Sequence, residues 1–69
     1  VKKTIYLPQF DKSAVAEMFG NKITVRYEGN EEFPRSLKVK DQYYVVIDGE
    51  EKTMVLVRKA IGLWQFSLQ

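Results

Sequence analysis

Residues 11–20 read Asp11-Lys12-Ser13-Ala14-Val15-Ala16-Glu17-Met18-Phe19-Gly20, and the conformation of this stretch decides the fold class. Asp11 or Ser13 can accept hydrogen bonds from the free amides of a first helical turn. Gly20 suits the left-handed position just past a last turn. Val15, Met18 and Phe19 stand three and four residues apart, so a helix sets them on one face with Ala14 beside them. The spacing predicts one helix of about two turns. Such a helix holds only when packed against the rest of the chain.

On the N-terminal side, Thr4-Ile5-Tyr6-Leu7 reads as a short strand with Ile5 and Leu7 on one face. Pro8 ends it, having no amide to give to a ladder. On the C-terminal side the period changes to two. Ile23, Val25 and Tyr27 alternate with Thr24, Arg26 and Glu28, as a half-buried strand does. Gly29-Asn30 reads as a turn, and residues 31–36 are irregular around Pro34. Leu37 and Val39 then alternate with Lys38 and Lys40, which predicts another short strand with a basic outer face.

Residues 43–47 and 53–57 form two runs rich in β-branched side chains around Asp48-Gly49. An Asp-Gly pair there is a hairpin signal, because both central residues of a type I′ turn need positive φ. A longer loop over residues 48–51 fits as well, so the register stays open. Both arms are apolar on both faces, which predicts central strands covered on each side. Ala60-Ile61-Gly62 allows a bend, after which Trp64, Phe66 and Leu68 share one face. The fold expected is α+β and β-rich, in a single domain over residues 1–69. Its form is a small antiparallel sheet or partly closed barrel of about five strands, with one short helix after the first strand.

A chain of 69 residues buries only about 60% of the surface its unfolded form exposes, so its core is small. It has no Cys and no His, which removes disulfides and the usual zinc ligands. Stability then comes from packing, from association, or from both. No stretch is long and apolar enough to span a membrane, and the N-terminus lacks a signal-peptide core. A cytoplasmic location is the expectation. The chain begins at Val1 and not at Met, which points to removal of an initiator Met or a longer leader. Eleven basic and nine acidic residues alternate along the chain, an ordinary solvated balance.

The residues for chemistry are few. Ser13, Ser36 and Ser67 have no His to activate them and no Ser-x-x-Lys spacing, and Ser13 is better read as a helix-start residue. The chain is therefore expected not to be an enzyme. Glu31-Glu32 and Asp48-Gly49-Glu50-Glu51 lack the ligand spacing of a calcium loop and read as solvated turns. No metal and no cofactor is expected.

What remains is surface. Tyr43 and Tyr44 are neighbours on one strand, so their rings point to opposite sides and at least one reaches solvent. Trp64 and Phe66 follow Arg58-Lys59 closely. Large aromatics are mostly buried, which favours a core role for Trp64 and Phe66. Presented outward, the same groups suit a protein interface. The leading expectation is a non-enzymatic protein-interaction module, of the kind small bacterial or phage regulators and inhibitors exemplify. It would bind through a sheet edge or through Tyr43, Tyr44, Arg58, Trp64 and Phe66. The second is a small nucleic-acid-binding domain using Arg26, Lys38, Lys40, Arg58 and Lys59 with Tyr43 or Tyr44. The third is a structural subunit of a homo-oligomer or viral particle.

Overall fold

Every regular element in the computed structural model, which describes residues 1–69, is a strand. They are β1 (Lys2–Leu7), β2 (Lys12–Phe19), β3 (Lys22–Arg26), β4 (Gln42–Ile47), β5 (Glu50–Ala60) and β6 (Leu63–Leu68). Two three-stranded meanders join edge to edge in the order β1-β2-β3-β6-β5-β4, and antiparallel pairing of β1 with β4 closes the barrel. The fold is all-β, and the α+β expectation is corrected.

The correction rests on residues 11–20. Inside β2, Ala14 and Ala16 are buried while Val15 is 49% and Phe19 69% exposed. The apolar set that looked like one helical face is split between the two sides of a strand. Ala16 sits between Lys3 of β1 and Val25 of β3, and Ala14 opposes Ile5. A narrow barrel needs such small side chains beside large ones to close around a filled interior. Pairing on both edges outweighs the helical preference of Ala and Met, which is only tenths of a kcal/mol per residue. The supposed caps are corner residues. Asp11 has φ 52° at the end of the β1–β2 turn, and Gly20 has φ 57° at the first position of the Gly20-Asn21 turn, where a type II′ hairpin wants glycine.

The Asp48-Gly49 hairpin takes its shorter form. Ile47 faces Glu50, and φ is 52° and 79° at the two corner residues, as a type I′ turn requires. The strand expected over residues 37–40 does not form. Residues 27–41 instead cross the barrel mouth as a loop that drops Phe33 and Leu37 into the core. Phe33 lies 4.9 Å from Trp64 and 6.2 Å from Phe66, ring centre to ring centre. Lys59 Nζ pins the same loop by donating to Arg35 O at 2.9 Å and Leu37 O at 3.1 Å.

Two side-chain amides complete the ladders where strands run out. Asn30 accepts from Val15 N at 2.9 Å and donates to Val15 O at 3.1 Å, replacing the neighbour that β3 no longer supplies. Its Nδ2 also donates to Arg26 O at 2.8 Å. Gln9 Oε1 accepts from Tyr44 N at 2.8 Å on β4. Closure and these two plugs leave little edge for a partner strand, so the sheet-edge mode of binding loses its basis. Asn30→Asp keeps the shape but removes both donated bonds. It is expected to lower the urea stability by roughly 1–2 kcal/mol, and no loss would mean that Asn30 holds nothing in place. At the same end Tyr6 donates its hydroxyl to Asp11 Oδ1 at 2.7 Å, which raises the phenol above its ordinary pKa of 10.0.

Candidate functional site

The barrel is filled by its own side chains, so its solvent-facing chemistry lies on the outer walls and the loops. Core positions alternate along every strand, from Ile5 and Leu7 on β1 to Trp64 and Phe66 on β6. On β4 the inward residues are Tyr43, Val45 and Ile47, which leaves Tyr44 and Val46 facing out. On β5 Met54 and Leu56 point inward and Val55 outward. These are the arms whose two apolar faces predicted cover on each side. In the barrel nothing covers the outer one: Tyr44 is 50% and Val57 51% exposed.

A β-bulge sets what lies above this apolar strip. The register slips between Leu56 and Arg58, with Leu56 facing Phe66 and Arg58 facing Gln65. Unbroken alternation after Met54 and Leu56 would turn Arg58 into the core. The extra residue re-aims the strand instead. Val57 and Arg58 both stay exposed, and Lys59 takes the place opposite Trp64, where it reaches the loop carbonyls. A bulge is what lets β5 carry a cation outward and another across the barrel mouth.

Lys38 and Lys40 join Arg58 through the backbone. Lys40 N donates to Leu56 O at 2.7 Å, and Leu56 N donates to Asp41 O at 3.1 Å, so this turn lies along β5 two residues below Arg58. The turn runs from Lys38 to Asp41, closed by Asp41 N on Lys38 O at 3.2 Å. Its Lys40 has φ 79°. A lysine there is strained by roughly 1–2 kcal/mol against an ordinary conformation, and glycine is the relaxed choice. Lys40→Gly is expected to raise stability by about 0.5–1 kcal/mol in urea unfolding, allowing for the freedom glycine adds to the unfolded chain. A loss of stability would contradict the positive φ.

The charges on this wall are unneutralised. The chain's ion pairs are Lys3–Asp48, Lys12–Glu32 and Arg26–Glu17, and Lys38, Lys40 and Arg58 belong to none of them. Asp41 is the one acid in the turn itself. The first half of the 27–41 loop has the opposite character: Glu31 and Glu32 lie with Asp11 and Lys12 beside β2. The loop thus carries acid to one side of the barrel mouth and base to the other.

The sequence-derived residues divide accordingly. Of the interface set, Tyr44 and Arg58 lie on the β4–β5 wall. Tyr43, Trp64 and Phe66 are buried, and the Tyr43 hydroxyl accepts from Lys38 N at 2.9 Å. Trp64 Nε1 is enclosed without a partner. Of the nucleic-acid set, Lys40 and Arg58 lie on this wall, and exposed Lys38 begins the turn that carries Lys40. Lys59 is committed to loop carbonyls, and Arg26 stands on β3 bound to Glu17 Oε1 at 2.9 Å. Sequence reasoning missed Val57, which faces outward by alternation from buried Leu56, and Arg35, whose guanidinium lies 4.0 Å over the Tyr27 ring. No group of three or more His, Cys, Asp or Glu side chains is placed to hold a metal ion. Comparison of the chain with protein-family models, with curated proteins and with solved structures finds no match.

Proposed function

We propose that this chain is a non-catalytic binding domain that takes an anionic macromolecule on the outer wall of β4 and β5. The supporting observation is the grouping of Lys38, Lys40 and Arg58, without carboxylate partners, above exposed Tyr44 and Val57. Cations left unpaired at the end of an apolar strip attract opposite charge over a distance and then offer surface to bury.

Retention on immobilised heparin tests the reading. Lys38→Glu with Lys40→Glu is expected to elute at much lower salt than the wild type. Lys2→Glu with Lys22→Glu changes the net charge equally, on exposed residues away from this wall, and is expected to shift elution far less. Equal shifts would mean that net charge alone acts, and the reading would fall. A second reading, a protein partner held mainly by apolar burial, is favoured by the exposure of Tyr44 and Val57. That complex would be nearly insensitive to salt and to the lysine substitutions.

A further inference from the structure

We infer that the anionic partner is a single-stranded nucleic acid, with Lys38, Lys40 and Arg58 on its phosphates and a base stacked on Tyr44; this rests on the β4–β5 wall being the binding surface. Three observations carry it. Tyr44 presents half of its surface to solvent from a strand that Gln9 holds in place through Tyr44 N. A flat ring carried outward on a held strand is a stacking platform that any base can use. Beside it lies a shallow depression of about 420 Å³ lined by Tyr44, Glu51, Lys52, Thr53 and Gln69. Its hydroxyl, amide and ammonium groups suit the polar edge of a base, and the Glu51 carboxylate, which repels phosphate, can accept from an exocyclic amine.

The spacing fits a strand draped along the wall. Lys40 and Tyr44 are four residues apart, roughly 13 Å of extended chain, and Arg58 lies further along the same direction on β5. Cations at one end and a ring at the other span a short run of nucleotides. A duplex fits poorly. Bases within a duplex are not free to stack on Tyr44. The strained φ of Lys40 is the third observation: a lysine stands where glycine would relax the turn, and strain of this kind is found where a side chain has work to do.

Fluorescence anisotropy with labelled oligo(dT) at low salt is the test, with the same oligomer annealed to oligo(dA), and polyglutamate as an unlabelled competitor. The single strand is expected to bind more tightly than the duplex and to resist polyglutamate. Tyr44→Ala is expected to weaken binding about tenfold, with Tyr44→Phe close to wild type, because stacking needs the ring and not the hydroxyl. Lys40→Gly is expected to weaken binding and to lower the slope of log affinity against log salt by about 0.7, although it makes the fold more stable. Duplex bound as tightly as single strand, polyglutamate competing at equal charge, or an unchanged Tyr44→Ala would each overturn the inference. So would no anisotropy change at all. If heparin retention still depends on Lys38 and Lys40, the wall stands as a binding surface and only the nucleic acid falls. If it does not, both fall.

Discussion

Ala16→Lys is expected to leave the chain unfolded in dilute buffer, while Val15→Lys, one residue away, unfolds in urea within about 1 kcal/mol of the wild type. Ala16 is fully enclosed between β1 and β3, and its cross-strand neighbour Val25 faces the same interior. An ammonium there has no partner, and burying one costs several kcal/mol beyond the room its stem demands. A domain of this length has about 3–10 kcal/mol in all. Val15 points outward, and Asn30 holds its backbone whatever side chain it carries. Circular dichroism and urea unfolding of the two variants measure the difference. A helix over this stretch would reverse the order, with residue 15 on the packed face.

The second large effect is expected at the barrel mouth. Phe33→Ala should cost about 3–5 kcal/mol, because the ring is buried against Trp64 and Phe66 and is the large side chain with which the loop fills the barrel mouth. The chain has one tryptophan, which packs against Phe33 and Tyr27, so its emission reports on the barrel mouth. In urea the variant should show a lower midpoint, and in buffer a Trp64 emission shifted to longer wavelength as water reaches the ring. A loss below about 1 kcal/mol, with unchanged emission, would mean that the loop does not close the barrel.

The two positions also show what the sequence made legible. At Ile23 and Val25 and at Trp64 and Phe66 the alternation of large apolar residues gave the strand and its inner face directly, whereas the same alternation at Leu37 and Val39 belongs to a loop. The Asp48-Gly49 hairpin was legible because its turn chemistry is local, while its two-residue length came from the pairing of Ile47 with Glu50. Residues 11–20 misled because their inward residues are alanines. Alanine favours a helix and leaves no bulky alternation, and its value here lies in the space it leaves for Ile5 and Val25 across the ladder. Phe33 and Leu37 were illegible for the opposite reason. A plug needs no period, only a loop long enough to reach the mouth.

The binding wall was half legible. Lysines 38 and 40, Arg58 and Tyr44 were singled out as residue types. Bringing them together takes the turn that pairs Lys40 and Asp41 with Leu56, and exposing Arg58 takes the bulge at Val57. Neither has a sequence signature of its own. The closed barrel also changes how a partner can be held. With strand edges paired or plugged, the proposed binding rests on side chains of an outer wall, where Tyr44 and Val57 are exposed beside cations without ion-pair partners.

Closure of six strands, with residues 12–19 among them, is the claim on which the wall and its chemistry depend. A nuclear Overhauser spectrum of labelled protein tests it in one experiment. Cross-strand contacts between Ile5 and Ile47, between Tyr6 and Val46, and between Thr4 and Val15 are the result the closed barrel requires. Sequential amide–amide contacts running through residues 13–19, with no contact between β1 and β4, would contradict it.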